Sequence, residues 1–307
     1  MKEVFTFNLI VSGLSLSTPL LLAAFGGLLS ERAGVVNMAL EGQMLFGAFA
    51  GVAATWWLHS PWLGLLAALV VGALVGMLHA CLSVSLRANQ IISATAINLI
   101  AAGLTGALIQ PIWGHAGISP SVATFKQITI PLLGHVPFFG RFAGRLSLLD
   151  WAALALAPIV WVVLFRTAFG LRLRSCGEAP TAAVSVGVDV IRMRYTAVML
   201  SGMLAAAGGA YLSLVQVGVF QRNMTSGRGF IALAAMIFGK WRPVPVLGAC
   251  LLFGMVDAFQ YRTQVAGVNV PHDLLLALPY LVALVALATF VGRASAPAAL
   301  GKHFVKE

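Results

Sequence analysis

An all-α membrane bundle of about nine crossings, built as two inverted-topology halves with interrupted helices, is the fold class this sequence predicts. Three observations lead there. Hydrophobic residues fill 60% of 307 positions and charged residues only 9%, at a mean hydropathy of +0.95. A soluble domain carries roughly 25% charged residues, so a soluble globular fold is excluded. Apolar windows of about 20 residues, the length that crosses a bilayer, recur along the whole chain. One long polar, basic stretch, 166–194 (RTAFGLRLRSCGEAPTAAVSVGVDVIRMR), interrupts them.

The first window, Asn8–Leu29, is too long for a signal core and ends in Ser-Glu-Arg rather than at a small-residue cleavage site, so it reads as a mature span. Val35–Trp57, Trp62–Leu86 and Ile91–Gln110 complete a first half over 8–110. A connection (111–147) and a linking span, Leu148–Phe165, lead to the polar loop 166–194. The second half, 195–292, holds Tyr195–Val217, a shorter Gly-interrupted segment Thr225–Gly239, Val244–Tyr261 and Asp273–Val291, before a tail over 293–307. All of 1–307 reads as one transmembrane domain.

The formal charge of +10 comes from Lys and Arg in short connections between apolar runs. Such charge sets membrane orientation and does not point to nucleic acid. Placing the 166–194 loop in the cytoplasm also places Arg32, Arg87, Lys240, Arg242, Arg293, Lys302 and Lys306 there. With an odd number of crossings the N-terminus then lies outside and the C-terminus inside, and 111–147 is extracytoplasmic. The two halves enter from opposite sides, and the second segment of each is polar and Gly-broken: AGVVNMALEG in the first, SGRGFIALAAMIFGK in the second. Interrupted segments at matching places point to a translocation pathway.

Asn37, Glu41 and Gly42 therefore become pathway or gate candidates, with Asn37 and Glu41 expected on one helical face at i, i+4. A carboxylate costs about 2.5–3.5 kcal/mol at a helix centre by insertion scales. Glu41 must then lie near the interface, face a polar cavity, pair with Arg32, or cap a half-helix. Asn98, Gln110, Gln216, Asp257 and Gln260 are the other polar residues within spans; Asn98, Gln216, Asp257 and Gln260 join the pathway set, against the plainer reading that they only hydrogen-bond neighbouring helices. Gly202, Gly208 and Gly209 read as close-packing positions.

In the polar loop, Gly177, Glu178, Pro180, Ala182 and Ala183 form a turn and short helix. Pro180 suits the first helical position, Glu178 complements the positive helix end, and Gly187 stops it. A helix this short is unstable alone, so it packs on its own span ends or docks on a partner. Neither a G-x-x-x-x-G-K-[ST] loop, an H-E-x-x-H nor a G-x-S-x-G occurs, so no catalytic residues are assigned. Cys81, Cys176 and Cys250 form no CxxC pair and share no neighbourhood with the histidines, so no metal site is assigned either.

Leu29–Gly51, Asn89–Ala101, Gly170–Ser213 and Gly227–Pro243 together resemble the permease subunits of bacterial ABC importers for ribose-type sugars and nucleosides, above all the shorter permease of nucleoside importers. The resemblance implies that Gly177–Ala183 is a coupling helix seated on a cytoplasmic ABC ATPase, which would bind ATP while this chain needs no cofactor. It implies a second, longer permease as heterodimer partner, an extracytoplasmic substrate-binding protein delivering nucleoside or sugar, and a multi-pass location in the bacterial inner membrane. Where the family commonly has Gly-Glu-Asn-Pro this chain has Ala179, which removes a helix cap worth about 0.5–2 kcal/mol. An ion-coupled secondary transporter would also use broken helices, but has only Glu41 and Asp257 as intramembrane carboxylates. A channel or intramembrane enzyme finds neither a filter nor a nucleophile–base set.

Overall fold

The computed structural model describes residues 2–125, 145–266 and 296–304, with isolated positions between 271 and 285. Most of the Asp273–Val291 span and the 126–144 part of the connection lie outside the described residues. Helices account for nearly all of the rest: α1 (Lys2–Arg32), α2 (Leu40–Leu58), α3 (Pro61–Ala80), α4 (Gln90–Trp113), α5 (Leu148–Arg166), α6 (Ala168–Glu178), α7 (Pro180–Ser185), α8 (Val190–Tyr211), α9 (Arg228–Phe238) and α10 (Pro243–Val265). α3 and α8 run on into π-helical turns at Cys81–Ser85 and Leu212–Val217.

Among the described residues six helices are long and apolar enough to cross a membrane: α1, α3, α4, α5, α8 and α10. α2 carries Glu41 and Gln43 in its first turn and is buried along much of its length among the others. α9 has 11 residues and rises about 16 Å, half of a bilayer core. The expected Thr225–Gly239 crossing is therefore not a spanning helix. It is a non-helical stretch ending at Gly227, followed by this short helix.

Packing has a two-fold character. α1 packs on α10 as α8 packs on α3, so the first helix of each half lies on the third helix of the other. Small residues permit both approaches. A Cβ at Gly254 would sit 2.5 Å from Gly13 O across the α1–α10 contact, and one at Gly202 would sit 2.2 Å from Gly72 O across the α3–α8 contact. Gly209 likewise meets the Met44 backbone of α2. Without a hydrophobic force between helices in lipid, such close van der Waals contact holds the bundle together. Its largest core cluster joins α1 to α5, α8, α9 and α10 through Leu21, Phe25, Leu28, Val160, Ala205, Met236 and Phe253.

The two connections occupy opposite ends. Residues 117–125 run beside 214–222, with Arg222 N donating to Gly117 O, Ser119 N to Phe220 O, Val122 N to Gly218 O and Phe125 N to Leu214 O. The widened π turn frees the Leu214 carbonyl for the last of these. The other end carries α6, α7 and the segment 296–304. Two boundaries differ from expectation for physical reasons. α2 begins at Leu40 rather than Val35, because side chains satisfy the backbone of 33–39 in place of helical bonds. α8 begins at Val190, so Arg194 belongs to a helix and is buried instead of lying in a polar loop.

Candidate functional site

The α1–α2 connection is almost wholly buried within the protein, so its peptide groups need protein partners. Ser30 Oγ donates to Val35 O at 2.8 Å, and Val36 N donates to Gln90 Oε1 at 2.8 Å. His79 holds Val36 O through Nε2 at 3.0 Å. Asn98 serves two groups, donating from Nδ2 to Met38 O at 2.9 Å and accepting from Gly42 N at 2.8 Å. Asn37 bends the chain into the helix by accepting from Ala39 N at 3.1 Å, while its Nδ2 donates to Gln43 Oε1 and Ser201 Oγ. Asn37 thus precedes α2, and the expected shared helical face with Glu41 does not exist.

Glu41 points across to the second half. Its Oε1 accepts from Gly227 N at 2.8 Å and its Oε2 from Gly229 N at 2.7 Å. The carboxylate therefore caps the N-terminus of α9, where helical amides lack partners and the dipole favours negative charge. Glycine is required on both sides of this contact. Gly227 has φ +84°, and a Cβ at Gly229 would lie 2.4 Å from Glu41 N. Of the alternatives open for Glu41, capping is the one observed. Arg32 turns instead to Trp241 O at 2.8 Å and Glu178 at 3.8 Å. The interrupted segments of the two halves thus meet end to end at one carboxylate.

The remaining pathway candidates do not gather there. Gln216 donates to Ser15 O at 3.2 Å and lines a cavity of about 1150 Å³ at the end opposite α6 and α7. Asp257 and Gln260 are buried on α10, and neither lines that cavity. A residue sequence reasoning missed does line it. Asp150 is 2% exposed and accepts from Ser147 N and Oγ, Thr18 Oγ1 and Tyr211 OH, the last two at 2.6 Å. Its signal was the Ser147-x-x-Asp150 capping box at the start of α5.

At the other end α6 is an 11-residue helix where only a turn was expected, and α7 follows it directly. Two of the proposed docking residues face inward. Gly177 lies against Arg32 O, which a Cβ would approach to 2.2 Å, and Ala183 is 2% exposed in a cluster with Cys176, Val190 and Phe304. Glu178 is exposed but engaged, accepting from Ala298 N and pairing with Arg32. Pro180 is half-buried at the first position of α7, and Ala179 leaves the helix without a side-chain cap. Ala182 is exposed, as are Thr181, Ser185, Leu171 and Val186, the last at 77%.

Arg194 ties this end together. At 1% exposure it donates to Ala33 O, Cys176 O and Lys302 O, which belong to the α1–α2 connection, α6 and the C-terminal segment. Ala299 N to Gly177 O and Gly301 N to Gly34 O add backbone links between the same three pieces. Burial pushes the Cys176 thiol upward despite the nearby guanidinium, which keeps it unreactive near neutral pH. Among the described residues no group of three or more His, Cys, Asp or Glu is placed to hold a metal. The arrangement brings the interrupted segments of the two halves together at Glu41 inside the bundle and leaves an exposed surface at the α6–α7 end.

Comparison with known proteins agrees with this arrangement. The chain is 41% identical over 300 residues to the guanosine ABC transporter permease NupQ of Bacillus subtilis, covering 94% of each chain. It is 39% identical over 318 residues to the nucleoside ABC transporter permease NupC of Lactococcus lactis, covering 100% of this chain and 99% of that one. Among solved structures, a metal-chelate type ABC transporter in an inward-facing conformation shares the fold at a TM-score of 0.50 and 17% identity, over 91% of this chain and 84% of that chain. With residues 9–291 matching the family model as well, this multi-pass membrane protein belongs to the family described as the permease component of branched-chain amino acid transport systems.

Proposed function

We propose that this chain is one permease subunit of an ATP-driven importer of nucleosides, working by alternating access and coupled to a separate ATPase. The observation that carries the substrate class is full-length identity of 41% and 39% to permeases named for guanosine and nucleosides. The ATPase is proposed to seat on the exposed side of α6 and α7, where Leu171, Ala182 and Val186 offer apolar surface at an otherwise basic end. Leu171 on α6 and Val186, which follows the six-residue α7, are large exposed apolar side chains that suit a groove on a partner. ATP would be bound by that partner.

In this mechanism, docking forces on α7 reach the bundle through Arg194. Movement of α6 is passed to the 33–34 turn and so to residues 35–39, which lead into Glu41. The Glu41–α9 junction would then open or close with the two halves. The importer also needs a second permease, proposed to be a longer homologue, and an extracytoplasmic binding protein that delivers nucleoside. Glu41 is committed to backbone amides, which speaks against an ion-coupled carriage role for it.

The test is reconstitution. The chain is co-expressed with candidate ATPase and permease partners, purified as a complex and placed in liposomes with the binding protein. Guanosine should stimulate ATP hydrolysis and be taken up, while ribose and leucine should do neither. Uptake of ribose or leucine without guanosine would overturn the substrate assignment.

A further inference from the structure

α9 extends about 16 Å inward from the end marked by the Trp241–Glu31 hydrogen bond, so its first residues lie roughly midway through a 30 Å hydrocarbon core. The chain leading into it, 221–227, is non-helical and held by short turn bonds such as Met224 N to Gln221 O and Ser226 N to Asn223 O. Arg222 lies over Gly106 of α4, where an added Cβ would come within 3.2 Å of its Nε. Gly106 is seven residues before the end of α4 at Trp113, hence about 10 Å below that end. Arg222, Asn223 and Ser226 are all exposed, and Phe230, one turn into α9, is 48% exposed.

Lipid cannot cover such a surface. A guanidinium at this depth is costly in hydrocarbon. Exposed non-helical backbone at membrane depth is tolerated only where it lines a water-filled cavity or is covered by protein. The chemistry of the four side chains narrows what meets them there. Phe230 presents a flat apolar ring on which an aromatic base can stack. Arg222 offers a fork of N–H donors suited to adjacent ring-nitrogen and carbonyl acceptors, as on a purine edge. Asn223 and Ser226 can donate to and accept from hydroxyl groups. A sugar alone would leave Phe230 and Arg222 without purpose.

We infer that Arg222, Asn223, Ser226 and Phe230 form a solute-contact surface on the translocation pathway, selecting a nucleoside by its base and its hydroxyls. This rests on the nucleoside importer reading. It adds a binding surface distinct from Glu41, which holds α9 in place behind it.

The experiment uses the assembled transporter in liposomes with Cys81, Cys176 and Cys250 replaced by Ala. Arg222→Cys and Phe230→Cys are exposed to a charged, membrane-impermeant thiol reagent, with Ile159→Cys on the lipid-facing side of α5 as control. Both test sites should be modified and the control spared, and guanosine should slow modification severalfold. In kinetics, Phe230→Ala should raise KM for guanosine roughly tenfold, the cost of one lost base–aromatic stack, while Phe230→Tyr restores it. Unmodified test thiols, or modification indifferent to guanosine with KM unchanged, would overturn the surface. If the wild-type transporter moves ribose and not guanosine, the nucleoside reading fails on its own, and protection of the same thiols by ribose still decides whether solute passes here.

Discussion

Glu41 shows how one side chain can hold two broken elements together. Glu41→Gln keeps the shape but offers only one acceptor oxygen, so a buried amide of Gly227 or Gly229 faces an NH₂ group. Losing a charge-assisted bond of this kind costs about 1.5–3 kcal/mol. We expect membrane-inserted protein in near-normal amount, a lowered unfolding temperature in detergent, and uptake per inserted molecule reduced at least tenfold. Unchanged uptake at equal abundance would show that the junction does not gate. Asp150 is a comparable case at the opposite end. Asp150→Ala removes the charged acceptor shared by Thr18 and Tyr211, whose hydroxyls keep Leu14 O and Ser15 Oγ as partners, and should lower stability by about 1.5–3 kcal/mol, more than it lowers the affinity for guanosine. Glu41 could be found from sequence because a carboxylate in an apolar run demands an explanation. Its partner could not, since backbone amides 186 and 188 residues away carry no side-chain signal.

The short helix α7 was legible as an element, because Pro180 and Gly187 punctuate it in ways only a helix start and stop require. Its orientation was not. Small size at Ala183 is equally compatible with a docking face and with burial, and burial is what Cys176, Val190 and Phe304 impose. Ala183→Glu is therefore expected to disrupt the local fold, with a charge forced into an apolar cluster. The docking test moves to Val186→Glu, which should leave insertion and thermal stability unchanged and abolish co-purification of the ATPase. Ala179→Asn should restore a cap and stabilise α7 by about 0.5–2 kcal/mol, strengthening association if anything. Arg194 escaped notice for a related reason. Hydropathy windows start a span after an arginine, whereas here burial is offset by three carbonyl acceptors brought from distant segments. Arg194→Gln should release the 296–304 segment to protease while ATP hydrolysis continues without proportionate uptake. A variant with a wild-type ratio of uptake to hydrolysis would remove the linkage from the mechanism.

For the molecule as a whole, the all-helical, multi-span character came from long apolar windows, where periodicity has little to decide and length has much; among the described residues six helices are long enough to span, against the nine crossings expected. The exchange of partners between halves, α1 with α10 and α3 with α8, depends on glycine contacts that no window reveals. That arrangement puts the basic residues into two unequal groups. Arg32, Arg166, Arg172, Arg174, Arg192, Arg194, Lys240, Arg242 and Lys302 share the end that carries α6 and α7, whereas Arg145 and Arg262 line the cavity at the other. Excess Lys and Arg in short loops is retained on the cytoplasmic side, so the α6–α7 end is expected inside and the N-terminus outside. The same orientation is required if an ATPase is to reach Val186. In a variant with Cys81, Cys176 and Cys250 replaced by Ala, the exposed positions His115→Cys and Ser185→Cys give the two ends distinct reporters. An impermeant thiol reagent should label His115→Cys in intact cells and Ser185→Cys only after the membrane is opened. The reverse pattern would invert the molecule in the membrane, put α7 out of reach of any cytoplasmic ATPase, and end the importer mechanism.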